Sequence, residues 1–351
     1  LQANFDWVLG FNKMAKRKLL SRFKRLWFSS RRGNSAKGFT LLELLVTTAI
    51  AAGIVAGLLF IVVQIMGVDQ KEASKNETQR EMQLALNYIS TEMRDAVYVY
   101  TGDTMAAQTG AGAPRGGQSL MNFLPANLLS ADSAPIIAFW KQQPFPKKVK
   151  DNCAGSNPPT DIACTNGSSY ALVVYLLSIG NPDGTWKGKA RITRYALTEF
   201  NDEGARTSGY VNPGAYNNNF QTWPYGTAAA GLANLQTARP GNAIPAALVD
   251  FVDNTANSGT QSQLCPNDPN TTGEDYNISP PAGMLTGSLA GVRSFYACVN
   301  SRNTLGNTQD TLIYLRGNVV GRPGGFGNTS FLPSLETRVL SRGVLGRVPQ
   351  R

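Results

Sequence analysis

Histidine is absent from this 351-residue chain. With it go the commonest general base, the Ser-His-Asp and Cys-His nucleophile systems and every His-ligated metal site. Charged residues are sparse, at 16%. The four cysteines, Cys153, Cys164, Cys265 and Cys298, include no C-x2-C pair, which argues against a zinc centre built of thiolates. The glycine-rich run Gly321-Arg322-Pro323-Gly324-Gly325-Phe326-Gly327 lacks the Lys-Ser/Thr of a P-loop and reads as a turn cluster. Asp202, Glu203 and Asp250 have no spacing recognisable as a glycosidase pair. No internal repeat is evident. These absences point to a protein that is not an enzyme and needs no cofactor or metal.

What the chain has is apolar surface. Hydrophobic residues make up 42%, enough for a packed core rather than a disordered tail. The formal charge of +10 suggests nucleic acid at first sight. Its distribution says otherwise. Residues 1–38 hold ten of the 33 basic side chains and one of the 23 acids, so the remainder carries a net charge of only +1. The basicity belongs to one N-terminal arm, and no nucleic-acid partner is expected.

Directly after that arm, residues 39–68 read FTLLELLVTTAIAAGIVAGLLFIVVQIMGV. The stretch from Leu44 to Val68 carries no charge. About 20 apolar residues span a bilayer core, so the run is long enough to cross. It is too long for a signal-peptide core, and no Ala-x-Ala-like site follows. The basic arm should stay cytoplasmic, with everything after Val68 on the far side. Glu43 is out of place for a plain anchor. A carboxylate at the centre of a membrane helix costs roughly 2.5–3.5 kcal/mol, less near its end, and such groups are usually paired. A bundle of helices supplies a partner if a neighbour has a free amino terminus close by.

Lys37-Gly38-Phe39-Thr40-Leu41-Leu42-Glu43, followed by this apolar helix, resembles the processing signal of type IV pilins and type II secretion pseudopilins. The resemblance implies cleavage between Gly38 and Phe39 by a membrane prepilin peptidase. It implies N-methylation of Phe39 and a role for Glu43, fifth in the mature chain, in docking the subunit into a filament. It further implies other pilins or pseudopilins as partners, and an inner-membrane assembly platform driven by a separate ATPase. The expected location is the inner membrane as a single-pass protein, cytoplasmic at its N-terminus, and then a periplasmic or cell-surface filament. The leader, 1–38, is longer than in many pilins, and Met14 is an alternative start.

Beyond Val68 the helix should continue to about Tyr98. Met82, Leu86, Ile89, Met93 and Ala96 are spaced by 4, 3, 4 and 3, one stripe of a 3.6-residue period, while Lys71, Glu72, Lys75 and Arg80 lie opposite. Residues 69–100 are therefore expected to be an amphipathic continuation. Residues 101–168, rich in Gly, Ala, Pro, Asn and Ser, read as a connecting region with short apolar pieces such as Ile136-Ile137-Ala138-Phe139-Trp140. Residues 169–351 read as an antiparallel head. Strands are predicted at Tyr170 to Leu177 and Ala190 to Leu197, joined through the turn Asn181-Pro182-Asp183-Gly184. Ala247 to Val252 is a weaker strand, and Ser294 to Val299 with Thr311 to Leu315 form a second hairpin. Residues 201–245 and 253–292 read as long loops, which in compact domains are usually functional or disordered. Leu332 to Arg351, with Arg338, Arg342, Arg347 and Arg351, reads as a solvated basic tail, or as a docking segment for a partner. The fold class is α+β: a long N-terminal helix packed on an antiparallel sheet.

Further segments carry a narrower resemblance. Glu77-Thr78-Gln79-Arg80-Glu81-Met82, Phe139 to Pro146, Lys187 to Thr198, Tyr314-Leu315-Arg316-Gly317-Asn318 and Leu335 to Arg342 are similar to the hormogonium polysaccharide secretion pseudopilins of filamentous cyanobacteria. That likeness implies a minor subunit of a pilus-like apparatus supporting polysaccharide export and gliding. The wider PilW-like minor pilins, or a minor pilin of a conventional type IV pilus for adhesion or motility, are the coarser alternatives.

All four cysteines fall on the expected outer side, where an oxidising compartment favours disulfides. Four cysteines allow three connectivities. Chain proximity favours Cys153–Cys164 and Cys265–Cys298. Tyr210, Tyr216, Phe220, Trp223 and Tyr225 lie among asparagines and glycines. Such rings can stack on sugars, which makes Tyr210, Tyr216, Trp223 and Tyr225 candidate glycan contacts and the head a candidate polysaccharide-binding module. The alternative is a loop packed by its own aromatics.

Overall fold

The computed structural model describes residues 38–109, 113–181, 183–214, 219–228, 231–256, 265–266, 276–300, 308–325 and 332–344. The leader up to residue 37, Tyr216, Arg347 and Arg351 lie outside the described residues. The chain divides into two compact units, Leu1–Gln64 and Ile65–Arg351. One helix, α1 (Leu41–Arg94), contributes residues to both.

In the first unit α1 carries no charge after Glu43 and is mostly apolar on every side. Its most apolar 18-residue window has a mean hydropathy of 2.5, and none of that window is buried. This is a helix long and apolar enough to cross a membrane. A helix that is hydrophobic all round is stable only when something apolar covers it.

In the second unit the same helix becomes one-sided. Ser74, Thr78, Met82, Ala85, Leu86, Ile89 and Met93 are buried, which is the predicted stripe extended by two turns. α1 stops at Arg94, short of the predicted Tyr98. After one turn residue the chain enters β1 (Ala96–Val99), paired with β2. Ala96 is buried as expected, but on a strand. Helical spacing alone does not tell the two apart at a junction, whereas Val97, Tyr98 and Val99 favour extended backbone.

The region 101–168 is more than a connection. It holds the short helix α2 (Gly102–Met105), three 3-10 turns between Pro114 and Leu128, the 12-residue strand β2 (Ser133–Pro144) and the helix α3 (Lys147–Cys153). β2 sits inside a five-stranded antiparallel sheet of order β1-β2-β3-β4-β7, where β3 is Ser168–Ser178, β4 Ala190–Leu197 and β7 Ala246–Val252. β3, β4 and β7 match the predicted strands within two residues. The region 201–245 adds a small hairpin, β5 (Tyr225–Ala228) and β6 (Gly231–Asn234). The region 253–292 adds β8 (Tyr276–Ser279).

β8 opens a second antiparallel sheet of order β11-β10-β9-β8, with β9 Phe295–Asn300, β10 Thr308–Arg316 and β11 Ser334–Val344. β11 overturns the reading of a solvated tail over Ser334–Val344. Its register runs from Arg316 opposite Ser334 to Thr308 opposite Val344. Val339 and Ser341 point inward. Arg338 and Arg342 point outward and find Asp310 and Asp95.

The main core lies between α1 and the two sheets. Met82, Leu86, Ile89 and Met93 share one cluster with Phe139, Val173 and Tyr175 of the first sheet and Ala297, Ile313 and Val339 of the second. The opposite face of the first sheet is covered as well. Trp140, Leu172, Val174 and Leu176 pack there with Leu120, Phe220 and Trp223. β3 is thus buried on both faces, which is why Tyr170 to Leu177 reads as an unbroken apolar run. The sheets are tied at their rims. The Gln309 side chain mimics a strand, accepting from the Val99 N–H at 2.7 Å and donating to its carbonyl at 2.8 Å. Asp253 N–H donates to the Arg316 carbonyl at 3.0 Å, and Asn318 N–H to that of Phe251 at 2.8 Å.

Candidate functional site

Gly38, Phe39 and Thr40 precede the first turn of α1. Phe39 is 79% exposed, and Glu43 is exposed one turn further on. The Thr40 hydroxyl accepts the Glu43 N–H at 3.3 Å. Thr40-Leu41-Leu42-Glu43 has the spacing of a capping box, S/T-x-x-E. A carboxylate in the first turn also suits the positive end of the helix dipole. The carboxylate of Glu43 thus sits where the start of a helix favours negative charge. Within the apolar run, Thr47 donates to the Glu43 and Leu44 carbonyls at 2.9 and 3.0 Å, and Thr48 to that of Leu45 at 2.9 Å. These hydroxyls are satisfied inside the helix, as a hydrocarbon environment requires.

The same helix carries a signal that sequence reading passed over. Ala49, Gly53 and Gly57 recur every four residues on one face. A Cβ placed on Gly53, Gly57 or Gly67 meets nothing within 4 Å. Helical glycine costs about 1 kcal/mol relative to alanine, and nothing in the single chain offsets it here. Small residues at this spacing let a second helix backbone approach closely.

Where α1 joins the head, charge fixes its position. Glu92 is buried, and three adjacent strands reach it. Arg194 of β4 donates Nε to Oε2 at 3.0 Å and Nη2 to Oε1 at 2.5 Å. Lys141 Nζ of β2 lies 2.7 Å from Oε1. The Tyr175 hydroxyl of β3 donates to Oε2. Burial alone pushes a carboxyl up, but the bonds from Arg194, Lys141 and Tyr175 outweigh it and hold Glu92 at about 2. The same carboxylate raises Arg194. For Tyr175, burial leads and the neighbouring carboxylate adds to the rise.

The glycine run predicted as a turn cluster is a seat for the helix. A Cβ on Gly324 would lie 3.0 Å from the Lys71 backbone nitrogen, and one on Gly317, just before the run, would collide with Met82 Sδ. Ser74 Oγ donates to the Pro323 carbonyl at 2.6 Å. Arg322 pairs with Glu81 and lies over the Phe251 ring, 3.9 Å from its centroid. Close approach of helix to loop is what these glycines permit.

Both disulfides form in the pairing that chain proximity favours. Cys153–Cys164 ties α3 to the loop before β3, with Cα atoms 5.4 Å apart. Cys265–Cys298 ties the loop before β8 to β9, at 5.6 Å. Cys298 is fully buried.

Three of the candidate glycan contacts, Tyr210, Trp223 and Tyr225, lie among the described residues. Trp223 is 0% exposed, with its indole N–H donating to the Val211 carbonyl at 2.7 Å. Its ring packs edge-on against Trp140 at 5.4 Å. Tyr210 donates to the Tyr170 carbonyl at 2.7 Å, and Tyr225 packs against Phe123. Trp223 is thus buried and Tyr210 and Tyr225 are half-buried, and all three pack over the outer face of the first sheet. The apolar outer face of β2 and β3 needs a lid, and the aromatics provide it.

No family model, curated protein or solved structure matches the chain. What the structure defines is a class: a chain with, among the described residues, one candidate membrane-spanning helix and a disulfide-bonded α+β head.

Proposed function

We propose that the chain is a minor pilin or pseudopilin, a structural subunit of a type IV pilus-like or type II secretion-like apparatus. The observation that carries this reading is Gly38-Phe39 directly before a helix with Glu43 in its first turn and a charge-free, wholly exposed run behind it. A prepilin peptidase cuts between Gly38 and Phe39, and the new Phe39 amine is methylated. In the assembled filament the apolar run exchanges lipid for neighbouring helices, and Glu43 meets the amino terminus of a neighbour. The Ala49, Gly53 and Gly57 face supports close helix packing of this kind. Two disulfides support a head exposed to an oxidising compartment. An assembly platform with a separate ATPase supplies the work of extraction.

The narrower reading is a pseudopilin supporting polysaccharide secretion and gliding. It draws on the segments from Glu77 to Met82, Phe139 to Pro146 and Lys187 to Thr198.

The test is the intact mass and N-terminus of the protein extracted from its native membrane. A start at Phe39 with about 14 Da added, the mass of one methyl group, is the expected result. A chain that retains Arg31 and Arg32 overturns the processing step and leaves a static anchored protein.

A further inference from the structure

The head contains a polar cleft that the assembly reading does not use. It measures about 570 Å3 and lies between the loop closed by Cys153–Cys164, the start of β3 and the segment around Glu199 and Asn212. That volume falls within the roughly 300–1,000 Å3 of small-ligand sites, which are mostly apolar. This one is lined instead by amides, hydroxyls and carboxylates, among them Gln142, Thr160, Asp161, Asn166, Ser169 and Glu199.

The donor and acceptor pattern selects the ligand. The Gln142 and Asn166 amides both donate and accept, as do the Thr160 and Ser169 hydroxyls. These four side chains make no hydrogen bond to any described residue. The two carboxylates only accept, and both are held by Arg206. Its Nη1 lies 3.2 Å from Glu199 Oε1 and its Nη2 3.1 Å from Asp161 Oδ2. The guanidinium is thereby committed to two acids, and the three groups sum to one negative charge. A phosphate, sulfate or uronate finds repulsion here rather than a free cation. A ligand that donates and accepts at many points without charge fits. Burial, opposed by Arg206 and reinforced by Asp161, holds the Glu199 carboxyl above its ordinary range, in keeping with a site that disfavours further negative charge.

The cleft is also fixed before any ligand arrives. The disulfide sets one wall, and β3 sets the floor through its pairing with β2 from Ser168–Pro144 onward. Arg206 bridges the sides and donates to the Asp161 carbonyl at 2.7 Å. Fixed polar groups lose little freedom on binding.

We propose that this cleft binds a neutral oligosaccharide. The site is distinct from the aromatic cluster around Trp223 and stands whether or not the chain assembles into a filament. The experiment titrates the full-length protein in detergent micelles with maltohexaose, cellohexaose, xylohexaose and chitohexaose by calorimetry, with hexagalacturonate as the charged comparison. At least one neutral hexasaccharide should bind, and hexagalacturonate should bind at least about tenfold more weakly. The Q142A/N166A double variant, which removes two exposed amides, should weaken binding about tenfold or more while melting at the wild-type temperature. Binding of none of the four neutral probes, tighter binding of the uronate, or full binding by the double variant overturns the proposal. Processing at Gly38 and filament assembly are read separately, so their failure and the failure of this proposal are distinguishable.

Discussion

Arg194 on β4 grips Glu92 on α1 with two parallel bonds, so the helix is keyed to a strand 102 residues away in sequence. Lys141 and Tyr175 complete the grip from β2 and β3. Glu92→Ala leaves two cations facing each other with no acid between them. Breaking a buried pair from one side costs about 3–5 kcal/mol. Denaturation of the solubilised chain should show a loss of that size. Adding Arg194→Ala to Glu92→Ala should cost far less than Arg194→Ala alone, because the interaction is already gone. Strict additivity of the two would refute the clamp.

The same carboxylate sets an acid limit. Its folded value of about 2 lies below the ordinary 4.5. A depressed carboxyl stabilises the fold fully above its unfolded value and loses that contribution as pH falls toward the folded one. The contribution is about 3 kcal/mol, present above pH ~4.5 and lost between there and pH ~2. Stability measured across that window should fall less steeply in Glu92→Gln than in wild type. Identical slopes would mean that Glu92 titrates normally in the folded protein.

How much of this was legible differs by element. β3 announced itself because both its faces are buried, so no polar alternation interrupts it. β2 contains an equally apolar centre, Ile136 to Trp140, but Pro135 and Pro144 lie within the strand and Gly/Pro-rich segments surround it. β11 was missed for the opposite reason. Its inward side holds Val339 and Ser341, its outward side Arg338 and Arg342, and that mixture reads as tail until Asp310 and Asp95 are brought beside it. The end of α1 was misplaced because Ala96 keeps helical register with Met93 by coincidence of spacing. Gly38, Phe39 and Glu43 stand out in the sequence as one short motif, and the role proposed for them rests on that motif. The Glu92 clamp was not, since its partners come from three strands whose adjacency only the fold creates.

The two disulfides should differ in both worth and accessibility. Loop-closure entropy grows with the separation, 11 residues for Cys153–Cys164 and 33 for Cys265–Cys298. The chain-entropy relation gives about 3 and about 4 kcal/mol. Cys298 is fully buried, while Cys153 and Cys164 are half-buried. Under graded reductant the first bond should open before the second, read by mass after thiol alkylation. Removing Cys265–Cys298 by paired serine substitution should lower stability more than removing Cys153–Cys164. Simultaneous reduction would mean that access to Cys298 is not limited by its burial.

On the proposed pilin reading, assembly and folding of the chain can be separated on α1 itself. Glu43→Gln keeps the capping-box pattern with Thr40 and removes only the charge. Gly53→Leu adds a side chain where the single chain has open space. Neither change should destabilise the subunit, and the glycine replacement should help the helix by up to about 1 kcal/mol. Cleavage after Gly38, read by mass, should stay near wild type in both. The assembled fraction recovered by shearing and pelleting should fall in both, for different reasons. Glu43→Gln loses attraction to a neighbour's amino terminus. Gly53→Leu holds a neighbouring helix away from the Ala49, Gly53 and Gly57 face. Glu43→Ala removes the same charge and leaves the bond from the residue-43 N–H to the Thr40 hydroxyl in place, so it should be about as defective as Glu43→Gln. Wild-type assembly by both Glu43→Gln and Gly53→Leu would remove this helix from the filament contact and leave it as a plain anchor.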